Sequence, residues 1–124
     1  MIWLLVGLGG ALGAMARHGV NGLIHRVSID SVFPHGIFVI NLMGSALIGV
    51  IAGVIAGGRI HVSPEERTFL VVGILGGFTT FSSLSLDTFT LWRTGHAGLA
   101  IWNATGQVGL SLIGVALGFR IGMA

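Results

Sequence analysis

Apolar residues dominate four long stretches of this chain, and short polar segments separate them. A helix needs about 20 predominantly apolar residues to cross the hydrocarbon core of a bilayer, and each stretch reaches that length. The pattern therefore predicts an all-α integral membrane protein with four transmembrane helices. The predicted spans are about residues 2–24, 36–56, 67–92 and 97–119, and we assign them to one domain of residues 1–124. The N-terminal segment lacks the basic start of a signal peptide, so we interpret it as a retained first span.

The third span carries the most informative local pattern. Ser63-Pro64-Glu65-Glu66 predicts its start, with Ser63 as the cap, Pro64 as the first helical residue and Glu66 completing a capping box. Its middle, residues 76–83, reads GGFTTFSS. Non-helical backbone at membrane depth survives only where it is buried in protein or lines a polar cavity. We therefore predict a helix that is broken mid-membrane at residues 76–80, a feature typical of ion-binding transporters.

Composition agrees with a membrane protein and excludes several other classes. Only 8% of the residues are charged and 53% are apolar, whereas soluble domains carry about 25% charged residues. The six arginines are dispersed, which argues against nucleic-acid binding. Cysteine is absent, so disulfides and thiolate metal sites are excluded. Because no nucleophile–base pair or metal-ligand cluster occurs, we do not expect an enzyme.

The arginines favour neither orientation in the membrane. Basic residues normally mark the cytoplasmic side, and four spans would place Arg59, Arg67 and Arg120 on one side and Arg17, Arg26 and Arg93 on the other. This balance permits insertion in both directions, so two oppositely inserted copies can pair about an axis in the membrane plane. Frequent small-residue spacings allow close helix packing, either within one subunit or between two. We expect an antiparallel, dual-topology homodimer.

Polar side chains inside the spans form stripes. Asn103, Gln107 and Ser111 recur at every fourth position of the fourth span, and Asn41 and Ser45 are also four residues apart. Such groups either hydrogen-bond between helices or line a path for an ion, and both interpretations stay open.

The donor chemistry favours an anion or a neutral solute. A hard anion that sheds its water needs N–H and O–H donors and can use the positive edge of an aromatic ring. Asn41, Phe81 and the fourth-span stripe supply these groups, and Ser82 follows Phe81 directly. A large cation would favour carboxylates or rings of carbonyls, and Asp87 is the only acid within a span.

Three segments resemble the CrcB/Fluc family of fluoride channels: GGALGAMAR at residues 9–17, NLMGS at 41–45 and GGFTTFS at 76–82. The resemblance extends over essentially the whole chain. It implies an antiparallel homodimer in the plasma (inner) membrane, with two pathways through which fluoride leaves the cell passively.

The resemblance also implies individual roles. A sodium ion would lie at the dimer centre, bound by the backbone carbonyls of Gly76 and Thr79 from both subunits. Asn41 matches a pore-lining asparagine, Phe81 the first of two pore phenylalanines, and Arg17 an arginine near the aqueous vestibule. The implied ion pathway comprises Arg17, Asn41, Phe81, Ser82, Asn103, Gln107 and Ser111.

Two positions depart from the family pattern. Leu84 stands where the second pore phenylalanine is usual, and Ile37 replaces a threonine that often lies four residues before the asparagine. Because leucine has no polarised ring edge, either a variant homodimer or a heterodimer whose partner supplies the ring would explain Leu84. The balanced arginines favour the homodimer.

Two other classes of function compete with the channel. A small dual-topology drug/proton antiporter needs a carboxylate embedded in the membrane. The first span has no acid, which leaves Asp87 as the only candidate. A non-transporting membrane assembly protein would need only the glycine packing.

Overall fold

The computed structural model describes all residues, 1–124, and the chain is all-helical without a strand. Helical segments lie across each of the four predicted spans. The elements in chain order are α1 (Ile2–Val27), α2 (His35–Ala56), α3 (Pro64–Arg67), the π-helix π1 (Thr68–Leu75), α4 (Gly76–Phe78), α5 (Phe81–Arg93) and α6 (Ala97–Met123).

Three helical stretches are long and apolar enough to cross a membrane, namely His35–Ala56, Pro64–Arg93 and Ala97–Met123. The protein is therefore an all-α membrane protein. Helix α1 has 26 residues but is not among the three. Arg17, His18 and several glycines lower its apolar content.

The start of α3 confirms the predicted capping box. The Glu66 backbone N–H donates to Ser63 Oγ at 3.2 Å, and the Ser63 N–H donates to Glu66 Oε2 at 2.8 Å. Pro64 occupies the first helical position. These contacts satisfy two of the N–H groups near a helix start that have no partner within the helix.

The chain leaves helical geometry at Thr79 and Thr80, between α4 and α5. Their φ/ψ values of −87°/159° and −157°/124° are extended. The prediction placed the interruption at residues 76–80, whereas the structure keeps Gly76–Phe78 helical. The reason is that the Thr79 N–H still reaches the Leu75 carbonyl at 3.0 Å, so the helical bonding pattern persists up to that residue. We call Thr79 and Thr80 the break.

Helices α2 and α6 form the most extensive helix pair and run in the same direction. A methyl group on Gly49 would lie 2.9 Å from Val115 Cα, and one on Gly53 would lie 3.0 Å from Gly122 Cα. Residue numbers thus increase together along the contact. Only glycine lets the two backbones approach this closely.

Helix α1 packs in the same way against the helix that leads into the break. A methyl group on Gly9 would lie 2.9 Å from Gly73 Cα, and one on Gly77 would lie 3.0 Å from Gly10 Cα. These glycine contacts are all within one chain. The glycine spacings at these positions therefore serve packing inside the subunit, and they position the break between α1 on one side and α2 with α6 on the other.

Candidate ion-binding site

A cavity of about 540 Å³ lies where the break faces α2 and α6. Its polar wall consists of side chains with hydroxyl or amide groups, and its apolar wall includes Phe81 and Leu84. The polar residues are Asn41, Ser45, Thr79, Thr80, Gln107 and Ser111.

The cavity brings together six of the nine residues predicted for the site: Asn41, Gly76, Thr79, Phe81, Gln107 and Ser111. The other three do not line it. Asn103 has no exposed surface. Ser82 lies at the surface, with its hydroxyl 3.1 Å from Thr80 Oγ1. Arg17 reaches the break from the side of α1.

Asn41 holds the peptide groups of Thr80 in place. Its Nδ2 donates to the Thr80 carbonyl at 3.0 Å, and its Oδ1 accepts from the Thr80 N–H at 2.9 Å. In a continuous α-helix that N–H would bond to the Gly76 carbonyl, so the Gly76 oxygen loses its helical partner. A further bond joins Asn41 Nδ2 to Gln107 Oε1 at 2.7 Å. Both N–H donors of the Asn41 amide are therefore used within the protein.

The hydrogen-bonded chain continues from Asn41 across three helices. Gln107 Nε2 donates to Asn103 Oδ1 at 2.9 Å, and Asn103 Nδ2 donates to Thr88 Oγ1 at 2.9 Å. Gln107 and Asn103 are 1% and 0% exposed, so these amides must find partners inside the protein. The stripe predicted on the fourth span thus lies on one face of α6, where Asn103 bonds to Thr88 of α5 and to Gln107 of its own helix and does not line the cavity.

Arg17 contacts the other residue of the break. Its Nη1 donates to the Thr79 carbonyl oxygen at 3.3 Å. The Thr79 hydroxyl donates to the Leu75 carbonyl at 2.9 Å, which leaves it no hydrogen for a ligand. A carbonyl oxygen has two lone pairs, so the Thr79 oxygen keeps one acceptor position beside the guanidinium.

Phe81 and Leu84 occupy the two positions at which the family pattern has pore phenylalanines, and their exposed fractions differ strongly. Phe81 is 75% exposed in the single chain, whereas Leu84 is 8% exposed and forms part of the cavity wall. Ile37, the other departure from the pattern, lines a different cavity.

That second cavity has a volume of about 190 Å³ and lies between the end of α1, the start of α2 and α5. Its polar residues are Asn21, His25, Ser28, Ser31, His35 and Asp87. Asp87 Oδ2 is buried there without a hydrogen-bond partner. No group of three or more His, Cys, Asp or Glu side chains is placed to hold a metal ion.

Sequence reasoning did not assign Thr80, Thr88 or Ser45 to the site. Thr80 contributes through its backbone, which no side-chain pattern reports, and Thr88 is an ordinary helix position. Ser45 did carry a signal, because it follows Asn41 by four residues just as Ser111 follows Gln107.

The fold and the site define a small helical membrane protein with a polar cavity built around an interrupted helix. Residues 4–119 match the family described as CrcB-like protein, Camphor Resistance (CrcB). The chain belongs to this family.

Several relatives share nearly the full length of the chain. The Fluoride-specific ion channel FluC 2 of Nitrobacter hamburgensis is 44% identical over 98% of this chain and 96% of its own length. The Fluoride-specific ion channel FluC of Rhodopseudomonas palustris (strain BisB5) is 45% identical over 98% and 96%. The Thermus thermophilus protein of that name is 44% identical over 98% and 95%.

Proposed function

We propose that this protein is a fluoride-specific ion channel of the cell's inner (plasma) membrane that lets fluoride leave the cell passively. The observation that carries this conclusion is the 44–45% identity, over nearly the full chain, to proteins named for that activity. A channel makes and breaks no covalent bond, so the protein is not an enzyme.

The ion pathway runs through the larger cavity. Asn41, Phe81, Gln107 and Ser111 line it, and hydroxyl groups beside an apolar wall suit an anion that has shed part of its water. The remaining pathway residues adjoin the cavity and act through its lining: Arg17, Ser82 and Asn103.

An antiparallel homodimer of four-span subunits closes this pathway. The cavity opens at the surface of the single chain and Phe81 is largely exposed, yet polar backbone cannot face lipid. A second copy inserted in the opposite direction covers this face, and the balanced arginines permit it. Helix α1 is long enough to cross a bilayer. It packs along the helical stretch Pro64–Arg93, which has the length and the apolar composition of a membrane span.

The break suits a sodium ion at the dimer centre. The Gly76 carbonyl has lost its helical donor because the Thr80 N–H bonds to Asn41, and the Thr79 carbonyl keeps one lone pair. Such oxygens suit a hard cation. When bound, sodium would supply a fixed positive charge that attracts an anion into an apolar membrane.

Fluoride efflux from liposomes tests the function. Purified protein is reconstituted into vesicles loaded with potassium fluoride or chloride, and valinomycin starts the efflux that ion-selective electrodes record. We expect rapid fluoride efflux, no chloride efflux, and no dependence on a proton gradient. Well-folded protein that releases neither ion, or both equally, would contradict the proposal.

The substitution Asp87→Asn separates the channel from a drug/proton antiporter. An antiporter exchanges protons through a membrane carboxylate and would lose all transport. For the channel we expect fluoride efflux to persist, because Asp87 does not line the larger cavity. We also expect the free energy of unfolding to rise by about 1 kcal/mol, since the buried Oδ2 has no partner and a neutral amide is less costly to bury.

Two measurements check the Asp87 prediction, fluoride efflux and thermal unfolding in detergent. Asp30→Asn, at an exposed loop position, is the matched control. A folded Asp87→Asn protein that has lost all fluoride efflux would favour the antiporter.

A further inference from the structure

Several serine and threonine hydroxyl groups of this protein donate to a backbone carbonyl within their own segment of the chain. Six of them donate to the backbone carbonyl four residues earlier, namely Ser28, Thr68, Thr79, Ser85, Thr94 and Thr105. Ser45 and Ser111 make no such bond, and both line the larger cavity. Asp87 Oδ2 is the one buried side-chain oxygen or nitrogen without a partner, so the two serine hydroxyls are open to the cavity.

The two serines lie at the same level of the α2–α6 pair. One turn before them, Asn41 and Gln107 are directly hydrogen-bonded and are 66 positions apart in sequence. Ser45 and Ser111 have the same separation. Because the two helices run in parallel, each serine lies one turn further along its own helix than the bonded amide.

The next turn closes the gap between the helices. Gly49 and Val115 have the same separation again, and their backbones nearly touch, since a methyl group on Gly49 would lie 2.9 Å from Val115 Cα. Ser45 and Ser111 therefore lie between a hydrogen bond on one side and a backbone contact on the other. The part of the cavity wall that carries the two serines therefore lies next to the point where the helices meet.

The other polar groups of the cavity have few hydrogens to offer. Asn41 uses both N–H groups of its amide, and the hydroxyls of Thr79 and Thr80 donate to Leu75 and Ser83. Among the polar side chains that line the cavity, the donors that remain are the two serine hydroxyls and one N–H of Gln107.

We propose that Ser45 contacts the permeating anion and forms, with Ser111, a binding station for one partly dehydrated fluoride ion. This inference rests on the proposed fluoride channel and adds Ser45 as a residue that determines its specificity. A small hard anion takes short, charge-assisted hydrogen bonds from hydroxyls, and a larger halide fits less well between two helices that meet one turn away.

Ser45→Ala tests the station by fluoride efflux from liposomes, recorded over a series of fluoride concentrations. We expect efflux to fall about tenfold, the loss expected for one charge-assisted hydrogen bond, with an unchanged unfolding temperature. Ser45→Thr keeps the hydroxyl and should retain most of the efflux. In Ser45→Ala/Ser111→Ala the combined loss should be smaller than the product of the single losses, because both hydroxyls act on one ion. Thr105→Ala on α6 is the control, since that exposed hydroxyl bonds to the Ile101 carbonyl.

Unchanged efflux in Ser45→Ala would overturn this inference and leave the channel standing. Equal losses in Ser45→Ala and Ser45→Thr would also overturn it, because the hydroxyl would then not be the group that matters. Absence of fluoride efflux from the unsubstituted protein would instead contradict the proposed function itself.

Discussion

Replacing Gly13 with alanine is expected to prevent α1 from packing on the helix before the break. The added methyl group would lie 2.8 Å from the Phe78 backbone nitrogen and closer still to the Ile74 carbonyl oxygen. Both neighbours are backbone atoms of a helix, so neither can move aside as a side chain would. We expect a loss of more than about 3 kcal/mol in the free energy of unfolding, at the upper end of overpacking effects.

The loss is measured by thermal or denaturant unfolding in detergent and by the yield of folded protein in size-exclusion chromatography. Gly10→Ala is the matched control, because an added methyl group there meets no atom within 4 Å, although Gly10 belongs to the same helix. Gly10→Ala should be neutral or slightly stabilising, since alanine has the higher helix propensity. Equal stability of Gly13→Ala and Gly10→Ala would show that α1 does not pack as described.

Replacing Asn41 with alanine is expected to abolish fluoride efflux. The substitution removes three hydrogen bonds and leaves the Thr80 N–H and Gln107 Oε1 without partners. Each unsatisfied buried group costs about 1–3 kcal/mol, so we expect a loss of about 3 kcal/mol or more in stability. We further expect efflux to fall at least about 100-fold, because the break loses the contact that fixes its geometry.

Liposome efflux and unfolding in detergent measure both effects of the Asn41 substitution. Asn21→Ala is the control, since Asn21 is a half-buried asparagine outside the larger cavity. If Asn41→Ala behaved like Asn21→Ala in both assays, Asn41 would not hold the break. A stable Asn41→Ala protein without efflux would assign Asn41 a contact with the ion in addition to its structural bonds.

These two predictions concern the same structural problem from opposite sides. An interrupted helix leaves peptide groups without helical partners, and a membrane offers no water to satisfy them. Here Asn41 of α2 binds the peptide groups of Thr80, while Arg17 of α1 donates to the Thr79 carbonyl. The glycine contacts bring α1 close enough for this. The break is thus held by side chains from two neighbouring helices.

The contacts of Arg17 illustrate what the sequence leaves open about a residue that it singles out. The resemblance placed this arginine near an aqueous vestibule, and that placement remains a prediction. The structure adds a contact with the break through a hydrogen bond to Thr79. The two residues are 62 positions apart, so no local pattern could indicate their contact.

The polar stripe of α6 shows the same difference between what the sequence indicates and what the tertiary contacts decide. The spacing of Asn103, Gln107 and Ser111 predicts that they share one helix face, because four residues make about one turn. It does not say which amide turns toward another helix and which toward a cavity. The structure buries Asn103 against Thr88 and leaves Ser111 open to the cavity. Interhelical bonding therefore applies to Asn103, whereas Ser111 lines the cavity and its part in a donor-lined path remains a prediction.

The sequence by itself determined that this is a helical membrane protein, that Ser63 starts the third helical stretch, and that this stretch is interrupted somewhere within residues 76–80. Each of these properties depends on neighbouring residues, through hydrophobic length, capping and helix propensity. Only the tertiary structure decided that Gly76–Phe78 stays helical, that Asn41 replaces the helical partner of Thr80, and that Ser45 shares a cavity with Ser111. Those outcomes depend on the register of parallel helices that meet through glycines, and register is set by contacts between residues far apart in the chain.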